Sequence, residues 1–205
     1  MKKKQSFHRN KIIQKIFYRG SIKEKVNLIK SLKDFFLEPE KVSGQPVFLQ
    51  IEPTTHCNLR CLSCRNPELP IKNHMSINEF NTILNQFPYL KKLNLVGLGE
   101  PLLNPDFELF QEECGKRDIA LGLASNGMLL TQRKIDSILN KKLDWINISI
   151  DSAEEKQFQE LRPGASLETI IKQYKLFIKE KNKRQKRIET GIAVVIGTYN
   201  LNQLA

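Results

Sequence analysis

The sequence predicts an α/β fold built on parallel strands, and three observations carry that expectation. Short apolar runs of strand length recur after Pro46, each followed by a stretch with helical spacing or helix-capping residues. The runs are nearly continuous in apolar side chains, the pattern of strands covered on both faces. The residues with chemical character gather in the loops just after the runs. Strands alternating with helices pair in parallel through crossovers. Two architectures satisfy this, a doubly wound open sheet or part of a β/α barrel, and both place function at the C-terminal ends of the strands.

Residues 1–45 read as a basic helical leader and residues 46–205 as the core. Within KVNLIKSLKDFF, Leu28, Ile29, Leu32, Phe35 and Phe36 share one side at helical spacing, while Asn27, Lys30, Lys33 and Asp34 fill the other. The expectation is that this helix packs its apolar side on the core; resting on a membrane surface is the less favoured reading. Pro39 and the run from Ser43 to Pro46 end it.

The core elements follow in order. VFLQIEP (Val47 to Pro53) reads as a strand. Ser76 and Glu79 form the N-terminal pair of a helix reaching Gln86. KLNLVGL (Lys92 to Leu98) is the second strand. PDFELFQEECG has proline at its start and glycine at its end, as helices prefer. IALGLAS (Ile119 to Ser125) is the third strand, with a helix over Thr131 to Asn140. WINISID (Trp145 to Asp151) is the fourth, with a helix over Ser166 to Glu180. IETGIAVVIG (Ile188 to Gly197) is the fifth.

The 205 residues are 40% hydrophobic and 27% charged, which suits one substantial globular domain. No apolar run reaches the roughly 18 residues of a membrane span, and no hydrophobic signal region follows the basic N-terminus. The expected setting is therefore the reducing cytoplasm, where clustered thiols serve as metal or redox groups. The net charge of +11 is concentrated: Met1 to Lys41 carries 12 Lys/Arg against 4 Asp/Glu, and Lys172 to Arg187 carries 8 against 1. Aromatic residues are not interleaved with these charges for base stacking, so solvated helix faces are expected and a nucleic-acid partner is not.

THCNLRCLSCRNP holds three of the four cysteines, Cys57, Cys61 and Cys64, in the loop after the first strand. Four thiolates would complete a zinc site or saturate a [4Fe–4S] cluster. Three leave one position open. Zinc would need a further ligand from His56, His74 or Cys114; Cys114, late in a helix, reads instead as a small buried residue.

In its strand-loop setting, the C-x3-C-x2-C spacing resembles the signature of the radical S-adenosylmethionine (SAM) superfamily. Gly97-Leu98-Gly99-Glu100, Ser125, the Ser149/Asp151 pair and Arg162 in LRPGAS follow in the order of that family's other motifs. The resemblance covers about Pro46 to Tyr199. It implies a partial β/α barrel, with about five βα units present here where the family usually has six, so the core is expected to be incomplete at its C-terminus. It also implies a [4Fe–4S] cluster on Cys57, Cys61 and Cys64, with SAM on the open iron, cleaved reductively to a 5′-deoxyadenosyl radical that abstracts hydrogen from a substrate. Gly99 lets backbone approach the ligand, and the carboxylate of Glu100 or neighbouring carbonyls accept the methionine ammonium. Ser125 faces the SAM site. Ser149 and Asp151 hydrogen-bond the ribose or the carboxylate, with Asp151-Ser152 as a helix cap the plainer alternative. Arg162 pairs with the carboxylate, and the backbone of Val195 meets the adenine. Ser63 stands where the family often has an aromatic residue. The implied partners are a peptide or small-molecule substrate and a reductant such as flavodoxin or ferredoxin. The rival expectation is an iron–sulfur or zinc-binding module without turnover.

Overall fold

A computed structural model describes residues 20–203; positions 1–19 of the expected leader, and the last two residues, lie outside the described residues. The described elements are α1 (Ile22–Leu37), β1 (Phe48–Ile51), α2 (Ile77–Gln86), β2 (Lys92–Leu95), α3 (Phe107–Lys116), β3 (Ala120–Ser125), α4 (Gln132–Asn140), β4 (Trp145–Ser149), α5 (Glu155–Leu161), α6 (Leu167–Lys183) and β5 (Glu189–Ala193), with three short 3-10 turns. All four strand pairings are parallel. The strand order is β1-β2-β3-β4-β5. A doubly wound sheet reverses direction at a switch point, whereas this order runs steadily around an arc. The architecture is therefore the partial barrel.

One expectation needs correction. The strands are not covered on both faces. Leu93, Leu95, Leu121, Leu123, Ile146 and Ile148 have no exposed surface, whereas Lys92, Asn94, Asn147 and Ser149, alternating with them, are only half-buried. Side chains alternate across a strand, so the helices pack on the first face and leave the second as a concave surface. Phe80 of α2 and Phe110 of α3 stack with ring centroids 4.3 Å apart within the covered layer. Cys114 belongs to that layer as expected, fully buried, its thiol pushed up to about 12 by desolvation.

The helices start where the sequence marks them. Ser76 accepts from the Glu79 amide while Glu79 Oε2 accepts from the Ser76 amide at 2.8 Å, a reciprocal cap. Thr131 caps α4 and Ser166 caps α6 through their side-chain oxygens. The seven-residue α5 is not foreseen. β5 is shorter than its apolar run, because past Ala193 the Val195 amide leaves the ladder and donates to Asp151 Oδ1.

Helix α1 departs further from expectation. Ser21 and Glu24 cap it reciprocally. The side turned to the core is polar: Asn27 exchanges hydrogen bonds with both backbone groups of Gln45, Ser31 donates to the Gln45 carbonyl, and Asp34 accepts from the Ser43 and Gly44 amides. Of the predicted apolar side only Leu28 is buried; Ile29, Leu32, Phe35 and Phe36 are 62%, 38%, 61% and 77% exposed.

Candidate functional site

The loop after β1 is pinned at both ends, which brings its three thiols to the C-terminal end of the sheet. Thr54 pairs with His74 in an isolated bridge, and the His56 carbonyl accepts from the Glu100 amide at 2.8 Å. On the other side, the Arg60 and Leu62 amides donate to the carbonyls of Pro163 and Leu161. Asn126 Nδ2 donates to Asn58 Oδ1 at 2.8 Å inside the loop. Cys57, Cys61 and Cys64 are half-buried and unpaired. Burial raises the thiols of Cys57 and Cys61; a backbone amide (Leu59) opposes this at Cys57, and the nearby Arg162 cation opposes it at Cys61.

Among the described residues, no three His, Cys, Asp or Glu side chains converge as the ligands of a single metal ion do. His56 and His74, the candidate extra zinc ligands, stack on one another with centroids 4.2 Å apart, and His74 Nδ1 shares a hydrogen bond with Thr54 Oγ1. Ligands of a cubane stand further apart than those of one ion, and thiolate is their form. Three half-buried thiols on one loop therefore fit a cluster better than structural zinc.

The loop after β2 lies against this one. Cys64 Sγ is 4.0 Å from the Leu98 carbonyl oxygen. Glu52, just past β1, supports the loop: its Oε1 accepts from the Leu98 amide and from the Gly99 amide, the latter at 3.2 Å. The two glycines follow from this packing. A Cβ on Gly97 would stand 2.3 Å from Glu52 Oε1, and one on Gly99 would stand 1.9 Å from the Thr54 carbonyl oxygen. Gly99 has no room for a side chain against the Thr54 backbone, whereas a side chain on Gly97 would have to displace that of Glu52.

Glu100 turns inward. It is 2% exposed; Oε1 accepts from the Leu102 amide and the Ser125 hydroxyl, and Oε2 from the Asn126 amide at 2.7 Å. Desolvation raises its carboxyl, an effect the three hydrogen bonds oppose without overcoming. Glu100 and Ser125 thus tie the β2 loop to the β3 loop, and both Glu100 oxygens are engaged inside the protein.

Asp151 and Arg162 form a buried pair. Arg162 Nε and Nη2 both donate to Asp151 Oδ2 at 2.7 Å, and Asp151 Oδ1 accepts from the Val195 amide at 2.9 Å. Asp151 thereby ties Arg162 to the end of β5, and the Arg162 cation lies near Cys61. Ser149 stands apart from this pair, half-buried on the concave face opposite Ala193. Neither Asp151 nor Ser152 caps the next helix: α5 has Glu154 at its N-cap position with no side-chain cap bond, and the Ser152 hydroxyl accepts from the Glu154 amide in the turn before it.

Sequence reasoning missed several residues that hold the site. Glu52 is one; its alternation with Phe48 and Gln50 along β1 was the available signal. Asn104 donates to the carbonyls of Pro53 and Met75, and Asn200 to those of Asp151 and Val195. Both are almost fully buried, and no local pattern marks them.

A partial barrel with three thiols at its strand ends defines a class of cofactor-binding α/β proteins. Residues 51–204 match the family model of the radical SAM superfamily, and the chain belongs to that superfamily. Its cofactors are those of the superfamily, a [4Fe–4S] cluster and SAM. The tungsten-containing aldehyde ferredoxin oxidoreductase cofactor-modifying protein of Pyrococcus furiosus is 31% identical over 171 residues, 77% of this chain and 46% of that protein. GTP 3′,8-cyclase of Saccharophagus degradans is 30% identical over 168 residues, 78% of this chain and 49% of that protein. The chain thus spans about half the length of these curated relatives. The fold is shared with Streptococcus suis SuiB bound to precursor peptide SuiA, at TM-score 0.59 and 21% identity over 76% of this chain and 34% of that one. It is shared too with BtrN in complex with AdoMet and 2-DOIA, at TM-score 0.53 and 14% identity over 71% and 56%. Among the described residues no helix is long and apolar enough to cross a membrane.

Proposed function

We propose that the chain is a cytoplasmic radical SAM oxidoreductase that holds its cluster through Cys57, Cys61 and Cys64. The carrying observation is the loop of three half-buried thiols, clamped beneath the β2 loop and beside Arg162. When bound, the reduced cluster supplies the electron that splits the S–C5′ bond of SAM, giving the radical that takes hydrogen from a substrate. The protein's own residues do the rest. The Leu98 carbonyl, fixed by Glu52, is the acceptor presented beside Cys64, and it suits the methionine ammonium better than Glu100, whose oxygens are already engaged. Gly99 keeps that approach open. Arg162, held by Asp151, brings a cation to the thiolates and to the SAM carboxylate. Ser149 and the Val195 segment line the SAM side of the concave face.

The substrate belongs in the concave face. There Lys92, Asn94, Asn147 and Ser149 are polar and only half-buried, a lining that suits a ligand carrying both donors and acceptors. A peptide or a small metabolite meets that demand, in keeping with the names of the relatives. Electrons come from a small carrier such as flavodoxin or ferredoxin.

Anaerobic reconstitution with iron and sulfide, followed by SAM and dithionite, tests this reading. A brown protein with the paramagnetic signal of a reduced cubane and release of 5′-deoxyadenosine is the expected result. Zinc bound in preference to iron would overturn the cluster; a cluster without SAM cleavage would leave a binding module instead of an enzyme.

A further inference from the structure

Helix α1 is amphipathic in the reverse of the usual sense. A surface helix of a soluble protein turns its apolar stripe to the core and its charges to water. Here the inward side carries Asn27, Ser31 and Asp34, bonded to the 43–45 segment, and Glu24, paired with Lys91. The outward side carries Ile22, Val26, Ile29, Phe36 and Leu37, which are 80%, 45%, 62%, 77% and 65% exposed. On a wheel of 3.6 residues per turn, all four lysines of the helix, Lys23, Lys25, Lys30 and Lys33, fall on or beside that apolar stripe. Both acids fall on the opposite side. Positive charge and apolar surface are thus gathered on one face, with no negative charge among them.

We propose that this face docks the protein onto an anionic lipid surface. The charge pattern selects the occupant. Lysine rimming a stripe of large apolar side chains suits lipid headgroups above an acyl boundary, and the basic sequence of residues 1–19 adds to the same attraction. The helix lies along the interface, since it is too short and too charged to cross. Position also argues against an electron-carrier protein as the occupant. Gln45, Lys91 and the helix lie at the N-terminal ends of β1 and β2, the far end of the sheet from the three cysteines. Docked this way, the thiol loop lies at the end of the sheet away from α1 and stays clear of the lipid. This inference is independent of cluster chemistry and stands even if turnover does not.

The full chain is mixed with vesicles of phosphatidylcholine alone, or with about one-third phosphatidylglycerol, and sedimented. Binding to the anionic vesicles, and its weakening as salt rises, is expected. The Ile22→Glu/Ile29→Glu variant keeps every lysine and should bind about tenfold more weakly; Ile22→Ser/Ile29→Ser is the milder companion. Both positions are exposed, so unchanged far-UV circular dichroism and melting confirm that the fold is intact. Equal binding by the apolar variants would assign the attraction to leader charge alone and overturn the proposal. So would absence of vesicle binding, or a dimer in solution that the same variants dissociate, which would make a second copy the occupant.

Discussion

At the C-terminal ends of the strands five polar residues are buried in two hydrogen-bonded groups, Glu100 with Ser125 and Asn126, and Asp151 with Arg162. At the N-terminal ends Ile22, Ile29, Phe36 and Leu37 of α1 stand in solvent. One end spends desolvation to fix polar groups in place; the other leaves apolar surface uncovered, which monomeric soluble proteins rarely do over a contiguous patch. Each end departs from the usual inside–outside rule in its own direction, and such departures mark function more reliably than agreement does.

The sharpest way to break the contrast is at the cysteines themselves. Cys57→Ala should abolish iron incorporation and 5′-deoxyadenosine release together, since two thiolates do not hold a cubane. Cys114→Ala, equally a loss of one thiol, should retain full iron content and cost only the packing of a small buried side chain, on the order of 1 kcal/mol in urea unfolding. Iron loss in the second variant would mean that Cys114 reaches the site, against its place under the sheet.

Next in size is the buried ion pair. Arg162→Leu leaves Asp151 without its partner in a site where both side chains are at most 10% exposed. Breaking such a pair costs about 3–5 kcal/mol. Ile29→Ser on α1 should stay within about 0.5 kcal/mol of the parent. If Arg162→Leu proved as mild, water would be reaching Asp151 and the polar end would be less closed than its geometry indicates. Urea midpoints of the two variants settle the difference.

The two glycines of the β2 loop allow a finer comparison. A methyl on Gly97 meets the far end of the flexible Glu52 side chain, which can move aside; one on Gly99 meets the Thr54 backbone. Gly99→Ala should therefore cost about 1–3 kcal/mol and weaken SAM binding, while Gly97→Ala should cost less in both. Calorimetric titration of SAM into reconstituted protein ranks them, and the reverse order would show that Glu52 is the more rigid wall.

Much of this was legible in the sequence. Five strands, the N-cap at Ser76, the helix starts at Thr131 and Ser166, and the placing of the thiols at a strand end all follow from local spacing. The fold type was ambiguous because βα alternation does not record strand order, which only the pairing supplies. Helix α5 was missed because seven residues are too few to develop a period. Glu52, Asn104 and Asn200 were missed because their partners are remote in sequence: Glu52 meets residues 98 and 99, and Asn200 meets Asp151. For α1 the pattern gave the helix but not its orientation. Periodicity says which side chains share a face; which face meets the core depends on the carbonyls and amides of Ser43 to Gln45, and those favoured the polar side.

The smallest expected effect tests how α1 is held. Lys91 pulls the Glu24 carboxyl below the ordinary glutamate range, against a desolvation that works the other way. Between the folded and the unfolded value the unfolded chain binds the proton more readily, so stability rises with pH across that window. The contribution is present above about pH 4.3 and is lost as pH falls through the lower folded value. The pair lies near the surface, with side chains 19% and 18% exposed, so its worth is about 0.2–1 kcal/mol and should shrink with salt. Glu24→Gln should flatten that part of the pH profile without touching iron content. Glutamine still caps Ser21 but does not titrate, so Glu24→Gln removes the carboxylate's linkage through the cap as well as through Lys91; Lys91→Gln is the companion that isolates the ion pair, and matching slopes in the two variants would place the pH dependence on Lys91 and not on the cap.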